Sequence, residues 1–132
     1  MDKGPAEILT GVFVPPPPED SRGIYLKFVG NAAADWPILA VAALVRTAPG
    51  GEVEDIRVVL SCAAATPMKV SGIDDLAHGR PLDAERIGAM ADSAASQADP
   101  IEDARGSAWY KREIIRVHVR RALERLSNGS GD

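Results

Sequence analysis

A single cysteine, Cys62, and two histidines, His78 and His118, stand among 132 residues. One thiol excludes an internal disulfide framework, and two imidazoles with no cysteine cluster leave no set of ligands spaced for a structural metal. Long apolar runs are missing too. The longest, Ile38 to Val45, has eight residues, against the roughly 18 or more of a membrane-spanning helix, so no membrane span is expected. Met1-Asp2-Lys3-Gly4-Pro5 does not lead from a charged region into a long apolar one, which gives no secretory signal and makes the cytoplasm the expected compartment. A net charge of −4 and a pI near 5.2 argue against a nucleic-acid footprint, because phosphate binding needs a basic face. No nucleic-acid partner is expected.

The composition, 45% hydrophobic and 26% charged, suits one compact domain over residues 1–132, with its core at about 6–127 and a polar tail at 128–132. Glu7 to Val14 reads as a strand, with Ile8, Thr10, Val12 and Val14 on one face and Leu9, Gly11 and Phe13 on the other. Pro15 to Pro18 stop it, since proline cannot donate a ladder hydrogen bond and favours an extended polyproline segment. Ile24 to Val29 alternates again. Two stretches rich in Val and Ile, Trp36 to Thr47 and Glu52 to Ala63, flank Ala48-Pro49-Gly50-Gly51 and predict a hairpin.

After Pro67 the period becomes helical. Ser71 to Leu76 predicts a short helix ending near Gly79. Asp83 caps a longer one, with Ile87, Met90, Ala91, Ala94 and Ala98 as its inner stripe, and Asp99-Pro100 closes it. A last helix runs from about Ser107 to Leu126. It carries the stripe Ile115, Val119, Ala122, Leu126 and a second stripe, Tyr110, Ile114, Val117, which suggests burial on two sides. The fold class is therefore α+β: an antiparallel β-sheet of three to four strands in the first half packed against three helices in the second.

Between Arg105 and Arg125 seven cations face two acids, a basic segment closing an acidic chain. Within it Arg112, Arg116 and Arg120 form an i, i+4, i+8 ladder: a clamp for a carboxylate or phosphate, or else a solvated face or one that ion-pairs with an acidic partner subunit. His118 lies on the side of the last helix away from Trp109, which predicts an exposed imidazole without a carboxylate to orient it. Cys62 ends an apolar strand. As a nucleophile it needs a helix start or cation to depress its pKa, and otherwise it is a small buried hydrophobe. No Ser-His-Asp or Cys-His arrangement is inferable, so no catalytic residue and no metal ligand is assigned.

Glu7-Ile8-Leu9-Thr10, the proline break, Tyr25-Leu26-Lys27-Phe28, Asp35-Trp36-Pro37-Ile38, Ala64-Ala65-Thr66-Pro67 and Arg105-Gly106-Ser107-Ala108-Trp109-Tyr110-Lys111-Arg112 follow one another in this order. In that series the chain closely resembles the C-terminal domain of the carbon monoxide dehydrogenase flavoprotein, part of the FAD-binding medium subunit of molybdenum hydroxylases, including xanthine dehydrogenases. The resemblance covers about Ala6 to Ser127. It implies a sheet and three-helix sandwich set against an FAD-binding portion, with iron-sulfur and molybdenum subunits or domains as further partners and FAD in the parent complex. The family's glycine-rich pyrophosphate segments belong to that other portion. The one Gly-x-Gly here, Gly129-Ser130-Gly131, has no strand before it, so this chain alone is not expected to hold FAD tightly.

The same resemblance places two segments by the flavin edge or its electron acceptor, giving Lys27, Asn31, Asp35, Ser61 and Cys62 as flavin- or ligand-facing candidates. The sequence departs from the family there. Gly30-Asn31 stand where two arginines are common, and Ser61-Cys62 where a Gly-Gly pair is common. The implied role is part of an oxidoreductase, covering the flavin and contacting other subunits, with no complete active site on this chain. Two alternatives follow from the departures: a stand-alone binding or homodimer-forming module that has lost the flavin, or a small-molecule enzyme using the vacated pocket.

Overall fold

The computed structural model describes residues 4–30 and 36–129. Four antiparallel strands form a sheet in sequence order: β1 (Ser21–Phe28), β2 (Leu39–Thr47), β3 (Val53–Ser61) and β4 (Met68–Lys69). Three helices follow: α1 (Ile73–Ala77), α2 (Ala84–Gln97) and α3 (Ala108–Ser127). The expected α+β arrangement is the one observed.

Strand alternation sorts the side chains into two faces. Leu26, Val41 and Leu60 form one cross-strand row, and Ile24, Ala43 and Val58 the next; these face the helices and include the buried centre of the core. Tyr25, Ala42 and Val59 form a row on the opposite face, as do Gly23, Leu44 and Arg57. The predicted hairpin closes through Gly51 N–H donating to Ala48 O at 2.9 Å and Ala48 N–H donating to Glu52 O at 2.8 Å. Gly51 sits at φ 92°, a conformation that a Cβ makes costly.

The helices form a second layer. α3 lies over β1 and β2, α1 over β3, and α2 packs on α3 and α1. Asp83 caps α2, its carboxylate accepting from Arg86 N–H at 2.9 Å, and Ser107 caps α3, accepting from Tyr110 N–H at 3.2 Å. The α2 stripe Ile87, Met90, Ala91, Ala94 is buried, as are Ile115, Val119, Ala122 and Leu126 of α3. The second α3 stripe behaves differently: Ile114 is buried, but Tyr110 and Val117 are exposed, so one broad face is covered and not two.

Residues 7–14 form no strand. Ile8, Leu9, Val12, Phe13 and Val14 are 60–87% exposed, although their alternation is that of a strand. Alternation specifies which side chains share a face; it does not supply an edge to pair with. The fourth strand is instead the two-residue β4 after Pro67.

Candidate functional site

Phe28 at the end of β1 pairs with Leu39 at the start of β2, and Ala40 pairs with Ser61 at the end of β3. One end of the sheet therefore gathers the termini of three strands. Lys27 and Ser61 both oppose Ala40 and so share a row on the face away from the helices. Two of the five candidates are thus brought together in one row, on either side of the buried Ala40. Asn31 and Asp35, between Gly30 and Trp36 in sequence, lie outside the described residues.

Cys62 departs from expectation. It is exposed rather than buried, and its φ of 63° places it in the left-handed region, which ends the strand and turns the thiol out of the core. This conformation is the one a Gly-Gly pair would take up readily. Cys62 lines a half-open cavity of about 160 Å³ at the sheet end, with Ile38, Asp103, Arg105 and Lys111 among its walls. Lys27 and Ser61 do not line it.

Three polar residues of this cavity were not singled out in the sequence. Lys111 is 6% exposed, and its Nζ donates to Ile101 O at 2.6 Å and lies 2.7 Å from Asp103 Oδ1. Asp103 Oδ1 also accepts from Arg105 N–H at 2.8 Å. The Lys111 hydrogen bond and the Arg105 N–H hold the Asp103 carboxyl below the usual carboxylate range. Gly106, at φ 149°, lets the loop turn into α3, where a Cβ would come within 2.5 Å of the Tyr110 ring. A signal for Lys111 existed: stepping back four residues from Ile115 along the inner stripe lands on it.

Asp103 and Lys111 are engaged with each other, and Arg105 joins them through its backbone N–H. No histidine and no second thiol lines the cavity, and no group of three metal-binding side chains occurs among the described residues. His118 is not exposed as expected but half-buried, its ring centroid 4.7 Å from that of Phe28 and its Nδ1 2.9 Å from Ile114 O. The arginine ladder is largely spent within the chain. Arg116 bonds Asp92 of α2 at 2.6 Å and Glu113, which raise its pKa, Glu113 foremost. Arg112 donates to Ala98 O at 3.3 Å, while Arg120 is exposed.

Whether these residues fit a dinucleotide can be judged from the helix starts, where an anion would find free N–H groups. Each long helix has some of these taken: Asp83 accepts from Arg86 N–H at α2, and at α3 the Ser107 hydroxyl accepts from Tyr110 N–H while Glu102 accepts from Ala108 N–H at 3.3 Å. Carboxylates at these places repel a pyrophosphate. Neither helix start therefore favours the pyrophosphate of FAD.

The family model for the CO dehydrogenase flavoprotein C-terminal domain matches residues 24–126. The chain belongs to this family. It is 31% identical over 124 residues to the carbon monoxide dehydrogenase medium chain of Afipia carboxidovorans, covering 92% of this chain and 41% of the relative. To the glyceraldehyde dehydrogenase medium chain of Sulfolobus acidocaldarius it is 27% identical over 126 residues, covering 96% of this chain and 44% of the relative. A solved structure of the carbon monoxide dehydrogenase of Hydrogenophaga pseudoflava superposes with a TM-score of 0.79 at 28% identity, over 90% of this chain and 40% of that one. The chain thus spans about two fifths of the length of the relatives it matches. Within this domain Cys62 holds a left-handed backbone without being glycine.

Proposed function

We propose that this chain serves as the C-terminal part of the FAD-binding medium chain of a molybdenum-hydroxylase-type oxidoreductase, working as a wall and docking surface against a flavin-bearing portion. The observation that carries this reading is the uncovered outer face of the sheet. Gly23, Ala42, Leu44, Arg57 and Val59 border a shallow, mainly apolar depression of about 350 Å³, and Tyr25 beside it is 65% exposed. Apolar surface left open on one whole side of a sheet gains stability only when a second layer covers it.

In this reading Lys27 and Ser61, with Asn31, Asp35 and Cys62, border the flavin, and FAD supplies electron transfer between the oxidative half-reaction and an acceptor. The chain's own part is to exclude water and fix the neighbouring subunits. It folds as one unit, resides in the cytoplasm, and meets iron-sulfur and molybdenum partners through the assembled medium chain. A repurposed small-molecule enzyme is disfavoured, because the 160 Å³ cavity is small and its Asp103 and Lys111 are spent on each other. A homodimer is the second reading, favoured by the same open face and by the position of β1 at the sheet edge.

The test is native mass determination of this chain mixed with the flavin-bearing portion of the Afipia carboxidovorans medium chain. A one-to-one complex carrying flavin is expected. Two copies of this chain without the other portion would support the homodimer instead.

A further inference from the structure

The two edges of the sheet differ. At β3 the chain that follows α1 closes the start of the strand: Val53 N–H donates to Arg80 O at 2.9 Å, and Gly79 N–H donates to Val53 O at 2.8 Å. β1 is the opposite end of the strand order. From Arg22 to Leu26 its backbone bonds only to β2 among the described residues, which leaves outward N–H and C=O groups that a further strand can join.

α3 runs along this edge in the opposite direction. The His118 ring lies 4.7 Å from that of Phe28, centroid to centroid, at one end of β1. At the other end the Arg22 guanidinium is 3.7 Å from where a Cβ on Gly129 would stand. Arg121 and Arg125, three and seven residues after His118, share its side of the helix and so fall beside β1 between those two points. Both are exposed. On the α2 side of the same helix Arg112 and Arg116 are matched by Asp99, Asp92 and Glu113. Arg22, Arg121 and Arg125 make no ion pair among the described residues. Three unmatched arginines therefore flank an open strand edge, in a chain whose net charge is −4.

We infer that the β1 edge is a docking site for an extended acidic segment of a partner protein, added as a fifth strand with its carboxylates turned toward α3. The spacing suits it. Arg121 and Arg125 are about 6 Å apart along the helix axis, and side chains on one face of a strand recur about every 6.8 Å. Carboxylates at alternate positions of the segment thus meet successive guanidinium groups, each able to hold one through two hydrogen bonds. The residues between them extend the outer face beside the exposed Tyr25, where apolar side chains gain a cross-strand neighbour. A second copy of the chain suits the edge poorly. Antiparallel pairing of two β1 strands, with both helix layers on one side, sets Tyr25 against its own copy and brings Arg121 and Arg125 of both chains to the junction, where like charges oppose association.

The probe is a capped hexapeptide alternating glutamate and valine, with a lysine and valine peptide as its control, titrated into the full chain and followed by fluorescence anisotropy. The glutamate peptide is expected to bind the parent and to bind the double variant Arg121→Glu with Arg125→Glu at least tenfold more weakly, while that variant prefers the lysine peptide. Both arginines are exposed, so the fold is retained, which an unchanged thermal midpoint checks. Amide hydrogen exchange from Arg22 to Leu26 is expected to slow at least tenfold when the peptide is bound. No binding by the parent, or binding within twofold by the double variant, overturns the inference. Binding without slowed exchange in β1 also overturns it, since that is charge attraction without an added strand. Equal binding of an oligothymidylate of the same charge overturns it in favour of polyanions in general, and a dimer of the chain alone that protects the same amides overturns it in favour of a second copy. The outer sheet face takes no part in these outcomes, so the proposed function is tested separately.

Discussion

Lys111 shows how a single buried charge can organise a loop. Its Nζ meets Ile101 O and Asp103 from inside the protein, tying the α2–α3 connection to the first turn of α3. Lys111→Ala should cost about 1–3 kcal/mol, since it empties the buried stem position and leaves the Ile101 carbonyl unpaired; urea denaturation measures this, and Lys111→Met, which keeps the stem, should recover part of the loss. Asp103 adds a pH dependence. Its carboxyl titrates below the usual range because of the Lys111 hydrogen bond first and the Arg105 N–H second, so its stabilising contribution is complete above that range and is lost as the pH falls through the lowered value. The stability difference between the parent and Asp103→Asn should therefore be constant above about pH 5 and shrink below about pH 4. Cys62 offers a conformational test. At φ 63° a β-branched residue is strained while glycine is not, so Cys62→Gly should be at least as stable as the parent and Cys62→Val about 1–2 kcal/mol less stable.

At the scale of elements, α3 separates buried from exposed positions within one turn. Val119 is fully buried and Val117 is 41% exposed, so Val119→Asp should destabilise by several kcal/mol, as an unpaired buried carboxylate does, while Val117→Asp should stay within about 0.5 kcal/mol. Thermal melts of the two variants distinguish a covered inner face from burial on both sides. The two long helices were legible in the sequence because both carry apolar residues at three- and four-residue spacing and Asp83 marks the start of α2. The β2–β3 hairpin was legible from its Pro-Gly-Gly turn. What alternation could not reveal was an edge to pair with, and residues 7–14 join no strand. Of the five candidate site residues, Lys27 and Ser61 share a row through Ala40, while Cys62 turns aside because its backbone enters the left-handed region. Of the cavity walls, Lys111 follows the inner stripe of α3, whereas Asp103 and Arg105 come from the loop before it, where no periodicity announces a contact.

The whole molecule has one covered and one uncovered side. Helices fill the inner face of the sheet, and the outer face around Tyr25 and Val59 stands open. Helix starts that could hold a pyrophosphate are occupied by the chain's own Asp83, Ser107 and Glu102. In the function proposed here, the chain acts on a flavin held by another portion. The most direct measurement is the rate at which FAD leaves the flavin-bearing portion of the Afipia carboxidovorans medium chain, with and without this chain present. Release at least tenfold slower in its presence, with no flavin retained by this chain alone, is the predicted result. Unchanged release, or tight FAD binding by this chain alone, would contradict the account.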